Sequence, residues 1–338
     1  MAIAFHQGAL RAAILTVAGF CSPALAAWPG DKPIELVVGF AAGGETDVLA
    51  RTLAPYLQKH LSGAANLIIV NKPGASGAIA NAYVQRAAKD GYTVAMVNTP
   101  PMNFMPVVQS TPYDPDKFAL IGRVVSDPTL LVARADSPYT SLKDLVAAVK
   151  AGRADVSIGQ NGLGSNGGVA LSILTQESGA AFTEVPFTGT GQSKIALIGG
   201  HVDMIFSSHT AVPNPAAEQT KLRVLAQFVD KRAPMLPDVP TAKEEGFDVV
   251  VPSDRGLAVD KDVPPEIRDR LQAALEAALK DPEFLAAAQS FSAILAYKPG
   301  AAWQQDIDAA KAPLAKLAAS LKPVSYTHLR AHETRHDL

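Results

Sequence analysis

The chain has 338 residues, of which 48% are hydrophobic and 18% are charged, and its formal net charge is −2. This composition is typical of a globular protein, and the length is sufficient for two lobes of ordinary domain size. The near-neutral charge, without a long basic run, gives no reason to expect nucleic acid or an anionic membrane surface as a partner.

The first residues have the features of an export signal. Arg11 precedes an apolar run at 12–20 that is too short to span a bilayer, and Ala24-Leu25-Ala26 has the small residues of a cleavage site. We therefore expect residues 1–26 to be removed on export; a buried N-terminal helix is the weaker alternative. The only cysteine, Cys21, lies inside this signal, so the mature chain would have no disulfide and no cysteine metal site.

The stretch 34–56 predicts a strand, a glycine turn and a helix. A β-branched apolar run at 34–40 indicates a buried strand, and the turn Ala41-Ala42-Gly43-Gly44 has almost no side chains. Thr46 or Asp47 can then cap a helix. At such a junction the free N–H groups and the helix dipole attract an anion. An ordinary βα turn, in which glycine serves only the backbone angles, is an equal alternative.

Strand and helix patterns alternate through much of the remaining chain. Apolar runs at 67–70 and 92–97 are each followed by a polar or glycine-rich loop, which predicts right-handed βαβ units and a parallel sheet. The alternation stops at Asp127-Pro128, where we expect the chain to cross to a second lobe. An extended stretch at 249–259 could cross back. The ligand cleft would then lie between the lobes, at the carboxyl ends of the strands.

A glycine-rich loop in the second half fits the dinucleotide-binding pattern G-x-G-x-x-G. The motif is Gly162-Leu163-Gly164-Ser165-Asn166-Gly167, and Glu184 lies at about the spacing of a ribose-binding acid. An exported protein is not expected to meet free NAD, however, and Glu184 falls in the middle of a predicted strand. We therefore expect no cofactor, and we interpret the loop as a second bare helix N-terminus that faces the cleft.

Other polar residues leave alternatives open. The sequence around Ser165 lacks the G-x-S-x-G elbow, and neither His201 nor His209 has an obvious link to a serine nucleophile, so a hydrolase is the weaker hypothesis. Asp203 could hydrogen-bond loop N–H groups at the cleft or only start a strand. Arg255, beside Asp254, could contact a ligand, although a structural salt bridge is slightly favoured.

The C-terminal stretch 324–338 lacks the apolar periodicity of the rest. It resembles a translated non-native sequence, and we exclude it from the fold. His328, His332 and His336 are four residues apart and could bind a metal on a helix, but this is the weaker alternative and we expect no metal site.

Five groups of residues follow one another along the chain, at 39–44 with Thr46-Asp47 and Ala50-Arg51, at 71–77, at 185–191, at 199–203 and at 236–241. In sequence and order they resemble the substrate-binding proteins of tripartite tricarboxylate transporters, the Bug or TctC-like family of periplasmic receptors, and the resemblance covers about 28–323. It implies an α/β, two-lobed type II periplasmic-binding-protein fold in which each lobe is a mostly parallel sheet flanked by helices. We expect residues 27–127 and 252–323 to form lobe 1 and residues 128–251 to form lobe 2.

The resemblance also implies a function. The protein would be a periplasmic receptor, not an enzyme, that binds a small organic carboxylate in the inter-lobe cleft and delivers it, as a monomer, to the transporter permease. The carboxylate would be held by the first glycine loop and faced by the second. Most of the expected ligand-binding residues lie in or beside the loops that follow the strands, and Asp203 precedes a strand. They are Phe40, Ala42, Gly43, Gly44, Thr46, Asp47, Ser76, Thr99, Asn161, Gly164, Ser165, Asn166, Thr188, Gly189, Gly191 and Asp203.

Two departures from the family pattern leave the ligand's identity open. Asn166-Gly167-Gly168 stand where the family often has a histidine after the serine of the second loop. Ser253-Asp254-Arg255 precede the returning Gly256-Leu257, where the family often has a tryptophan. The competing hypotheses are a secreted hydrolase-like enzyme and a ligand-sensing partner of a two-component sensor.

Overall fold

The computed structural model describes residues 28–61, 64–209, 222–289 and 294–320. The predicted signal at 1–26 and the tail 324–338, with its three histidines, lie outside the described residues. None of the helices in the described part combines the length and the apolar character that a membrane span requires.

The described residues form two sheets flanked by helices. In chain order the strands are β1 (Ile34–Val38), β2 (Leu67–Asn71), β3 (Thr93–Thr99), β4 (Phe118–Asp127), β5 (Thr129–Arg134), β6 (Ser157–Gln160), β7 (Thr183–Pro186), β8 (Met204–Ser208), β9 (Leu222–Gln227), β10 (Ser253–Asp260) and β11 (Leu295–Pro299). The α-helices are α1 (Glu45–Leu61), α2 (Ala78–Arg86), α3 (Pro101–Val108), α4 (Leu142–Lys150), α5 (Asn166–Ser178), α6 (Thr190–Ile198), α7 (Pro265–Ala278), α8 (Pro282–Gln289) and α9 (Gly300–Ser320). Short 3-10 helices lie at Ala75–Gly77 and Pro115–Lys117.

The two-lobed α/β architecture is confirmed, but the sheets are mixed rather than mostly parallel. The first sheet has the order β11-β4-β10-β3-β1-β2, and the second has the order β7-β6-β8-β5-β9. The β1–β2, β1–β3, β6–β7 and β6–β8 pairs are parallel. Strand β10 is antiparallel to β3 and β4, and β5 is antiparallel to β8 and β9. The strands that follow the crossings between the lobes are β5 and β10, and both enter their sheets in the reverse direction.

Helix α1 shows how the sequence pattern becomes packing. Leu49, Leu53 and Leu57, spaced by four residues, form one apolar stripe and are almost completely buried. They pack in one core cluster with Leu271 of α7 and Phe284 of α8. This burial holds the first turn of α1 in a fixed place beside the end of β1.

The predicted division of the chain into lobes remains a prediction, and two elements bear on it. Phe104 of α3 and Leu317 of α9 belong to the core cluster built around the second sheet, with residues such as Leu131 and Phe206. Both positions fall in the ranges predicted for lobe 1. Helix α3 and the end of α9 therefore pack on the second lobe, although the chain around them belongs to the first.

Candidate functional site

A cavity of about 480 Å³ lies between the two lobes, a size typical of small-molecule sites. The first lobe contributes the loop after β1, the start of α1 and the end of β3; the second contributes the ends of β6 and β8 and the loop that precedes α6. These are carboxyl ends of strands, as expected for an α/β crevice. Strand β10 adds Ser253 and Arg255 from the crossing region.

Asp47 holds the glycine loop at the first-lobe wall. Its buried carboxylate accepts hydrogen bonds from Gly43 N–H at 2.8 Å, from Asn71 Nδ2 at 2.8 Å and from Arg51 Nε at 2.9 Å. Burial alone would raise the pKa of Asp47, but the hydrogen bonds from Arg51, Gly43 and Asn71 outweigh it and hold this pKa below its ordinary value. Asp47 is absent from the cavity lining, so it supports the loop from behind.

The two glycines of the loop line the cavity, but their N–H groups are used within the loop. Gly43 donates to Asp47, and Gly44 donates to Ala41 O at 3.2 Å. Gly43 has a φ of 77°, which only glycine adopts readily, whereas the φ of Gly44 is ordinary. The residue of this turn whose backbone angles require glycine is therefore Gly43, not Gly44.

The backbone N–H groups that remain free at this wall are those of the next two residues. The N–H groups of Glu45 and Thr46 have no hydrogen-bond partner among the described residues. They lie in the first turn of α1, where the residue four positions earlier is outside the helix and its carbonyl is not in place to accept. Both residues line the cavity. Thr46 does not cap the helix: its Oγ1 accepts a hydrogen bond from Asn98 Nδ2 at 3.1 Å. The free N–H groups of this wall thus belong to the two residues that directly follow the glycines, not to the glycines themselves.

The second glycine loop is held partly by contacts with the first lobe. Ser165 caps α5, because its Oγ accepts a hydrogen bond from Gly168 N–H at 3.0 Å. Asn166 Nδ2 donates to Thr99 O at 3.0 Å and to Pro252 O at 2.9 Å, which ties α5 to the end of β3 and to the crossing segment. Gly164 lies against Met105 of α3, where an added Cβ would overlap the sulfur atom.

The structure brings most of the predicted site residues to the cavity wall. Those that line it are Phe40, Ala42, Gly43, Gly44, Thr46, Asn161, Ser165, Asn166, Thr188, Gly189 and Gly191.

Five predicted residues are not part of this lining: Asp47, Ser76, Thr99, Gly164 and Asp203. Asp203 is the clearest correction, since its carboxylate accepts hydrogen bonds from Ser157 N–H at 2.9 Å and Ser157 Oγ at 2.6 Å. Ser157 begins β6, whose other end reaches the cavity, so the alternative that Asp203 only starts a strand holds.

A charged cluster, which we call the Arg255 cluster, lies beside the first turn of α1. Arg255 is 1% exposed; its Nη2 lies 2.7 Å from Glu45 Oε2 and its Nη1 lies 3.1 Å from Asp127 Oδ2. Ser208 Oγ, in the second lobe, donates to the same Glu45 oxygen at 2.6 Å. The adjacent Asp254 is not part of the cluster, because it pairs with Arg123 at 3.1 Å.

Sequence reasoning did not find Glu45, Asp127 or Ser208. Glu45 is separated from Ser208 by 163 residues and from Arg255 by 210, so no local pattern links them. The one available signal was position, because Glu45 directly follows the glycine pair.

The described residues offer no support for a serine hydrolase. His209 is 1% exposed, and neither of its ring nitrogens has a hydrogen-bond partner among the described residues. Burial lowers the pKa of His209, against a smaller opposing effect of Asp127. Within the described part, Ser165 uses its hydroxyl as a helix cap rather than in a pair with histidine.

Comparisons with known proteins agree with the two-lobed α/β fold. Residues 49–306 match the family TctC, described as the tripartite tricarboxylate transporter family receptor. The UPF0065 protein in the gbd 5′ region of Cupriavidus necator is 34% identical over 254 residues, which cover 75% of this chain and 76% of that protein. A TctC solute binding protein from Polaromonas, solved without ligand, is 35% identical with a TM-score of 0.67 and matches over 87% of this chain and all of its own. MatC from Rhodopseudomonas palustris, solved with bound malate, is 27% identical with a TM-score of 0.76 over 85% of this chain and 98% of its own.

Proposed function

This chain belongs to the TctC family of tripartite tricarboxylate transporter receptors, and on that premise we propose that it is a periplasmic receptor for a small organic carboxylate. In this proposal the ligand binds between the lobes, is released unchanged and passes to the membrane permease of such a transporter. The receptor acts as a monomer and catalyses no reaction.

The observation that carries the proposal is the pair of unpartnered amides, Glu45 N–H and Thr46 N–H, on the wall of the cavity. They lie at the start of a 17-residue helix, where the helix dipole contributes about half a positive charge. A carboxylate there would accept charge-assisted hydrogen bonds without needing an arginine. The malate held by MatC is a ligand of this chemical class.

The predicted residues that line the cavity remain our proposed ligand contacts. Glu45 joins them, and Asp47 becomes the residue that positions the loop. Thr188, Gly189 and Gly191 would close over the ligand from the second lobe, because they line the cavity from the loop before α6 and from its first turn.

Titration calorimetry against mono-, di- and tricarboxylates tests the proposal. Gly44→Val is the informative variant: the φ of Gly44 is ordinary and an added Cβ meets only Ala41 O, at 3.2 Å, so we expect a folded protein whose cavity is filled in front of the two amides. Losing two charge-assisted hydrogen bonds should weaken binding at least a hundredfold.

Thermal melting of Gly44→Val is the control for folding, and recovery of chemically unchanged ligand separates a receptor from an enzyme. If the wild type binds none of the carboxylates, or if a folded Gly44→Val binds as tightly as the wild type, the proposal is wrong. Turnover of the ligand would favour the hydrolase alternative, and capture of a sensor kinase's periplasmic domain would favour the sensory one.

A further inference from the structure

Glu45 stands at the junction of the carboxylate-binding edge and the Arg255 cluster. Its N–H is one of the two free amides, and its carboxylate accepts from Arg255 Nη2 and Ser208 Oγ through a single oxygen, Oε2. The other oxygen, Oε1, is buried and has no hydrogen-bond partner in the described part of the chain. A ligand carboxylate at the start of α1 would therefore have the Glu45 side chain as its neighbour.

The charges of the Arg255 cluster do not favour a second carboxylate at that place. Both terminal nitrogens of Arg255 already face a carboxylate oxygen, of Glu45 and of Asp127. One guanidinium between two carboxylates sums to −1, so the cluster attracts a cation or a hydrogen-bond donor more than an anion. The other charged side chain that lines the cavity is Lys194 of α6, on the second-lobe side.

Four buried polar atoms of the cavity-lining residues have no hydrogen-bond partner among the described residues; three of them can accept a hydrogen bond, and the fourth, Arg255 Nε, is a donor. Glu45 Oε1, Asn161 Oδ1 and Thr129 Oγ1 are buried without a hydrogen-bond partner among the described residues. The first two are acceptors, and a hydroxyl can also accept. Buried acceptors that lack a donor cost free energy, so a ligand that supplies donors gains at these three atoms, whereas an anionic group gains only at Arg255 Nε.

We propose that Glu45 makes this receptor selective for carboxylates that carry a hydrogen-bond donor, an ammonium or a hydroxyl group, on the carbon next to the carboxylate held at the start of α1. The ligand class is thus α-amino and α-hydroxy acids. This inference rests on the proposed function, since it assumes that the carboxylate binds at the amides of Glu45 and Thr46. The donor then reaches the Glu45 carboxylate because the group that it substitutes lies beside the same residue.

Succinate, L-malate and L-aspartate form the matched probe series, because they share a carbon skeleton and differ at C2 by hydrogen, hydroxyl and ammonium. By titration calorimetry the wild type should bind aspartate most tightly and succinate about tenfold or more weakly. Glu45→Gln keeps the side-chain volume and removes the charge, so aspartate should lose about tenfold while succinate stays within about twofold or improves. Glu177→Gln, an exposed acid on α5, is the control and should change none of the three affinities.

The outcomes separate this inference from the proposed function. A wild type that binds succinate as tightly as malate and aspartate overturns the selectivity while leaving a carboxylate receptor. Equal weakening of all three ligands in Glu45→Gln also overturns it, because Glu45 would then only help to close the cleft. If Glu45→Gln does not fold, the wild-type ranking alone decides. Failure to bind any carboxylate overturns the proposed function and the selectivity together.

Discussion

Replacing Asp47 by asparagine tests whether the loop at 41–44 is held in place from behind. The variant keeps the shape of the side chain but removes its charge and one of its two acceptor oxygens. Gly43 N–H, Asn71 Nδ2 and Arg51 Nε all donate to this carboxylate, so at least one donor must lose its partner. Asn71 cannot simply turn over, because its Nδ2 also donates to Phe40 O at 3.1 Å.

The expected cost is about 2 kcal/mol in the free energy of unfolding. Hydrogen bonds to a charged group contribute about 1.5–3 kcal/mol each. The Arg51 side chain is 51% exposed, however, so solvent screens its ion pair with Asp47 and that pair contributes less to the free energy of unfolding. The melting temperature should fall by roughly 4–8 °C. Carboxylate affinity should fall about tenfold, because the amides of Glu45 and Thr46 begin where the loop ends.

The pH dependence gives this test a second readout. Because the pKa of Asp47 in the folded state is held below its ordinary value of 3.8, its contribution is fully present above about pH 5. That contribution is lost as the pH falls through the ordinary value and then through the folded one. The difference between wild type and Asp47→Asn in urea unfolding should therefore be largest near neutral pH and shrink below about pH 4.

Asp269→Asn, at an exposed position on α7, is the matched control and should leave melting and binding unchanged. The reasoning fails if Asp47→Asn melts with the wild type and binds the same ligand equally well. It also fails if the stability difference does not change between pH 7 and pH 3.

Two further substitutions probe other parts of the site. Thr46→Val keeps the side-chain volume and removes the hydrogen bond from Asn98, so ligand affinity should fall about threefold to tenfold by calorimetry; a lower melting point with unchanged affinity would show that the hydroxyl serves stability alone. Gly164→Val would collide with Met105 of α3, so the packing of α3 on the second lobe should loosen and the melting temperature should fall; an unchanged melting temperature would contradict this close approach.

The features that sequence could predict are local ones. The apolar run, bare turn and four-residue leucine spacing at 34–57 fix a strand, a loop and a helix within one short stretch, and the structure has all three. Helix α3 was missed because Pro106 interrupts its helical pattern, although Pro101 stands in the first helical turn, where proline fits. The antiparallel entry of β10 was missed because strand direction depends on a partner more than a hundred residues away.

The candidate site, like the fold, could be predicted from the sequence only in part. The loops that follow the strands had to meet at the cleft, since the carboxyl ends of parallel strands share an edge, and most of them line the cavity. How each loop uses its donors could not be read from composition. Gly43 N–H donates to Asp47 and Gly44 N–H donates to Ala41 O. Asp203 accepts from Ser157 at the start of β6, away from the cavity.

The polar contacts around the cavity also indicate what opening of the lobes would break. The Arg255–Asp127 pair joins neighbouring strands of the first sheet, β10 and β4, so it can persist while the lobes move. Among the described contacts that cross the cleft are Ser208 to Glu45 and Asn166 to Thr99 O. The Asn166 bond joins neutral groups and contributes about 0.5–1.5 kcal/mol, whereas the Ser208 bond to the Glu45 carboxylate contributes about 1.5–3 kcal/mol; the cost of opening is small because water replaces the lost partners. A ligand that engages Glu45 can therefore shift the equilibrium towards closure by binding the two lobes together, while Arg255 and Asp127 keep the crossing strands in register.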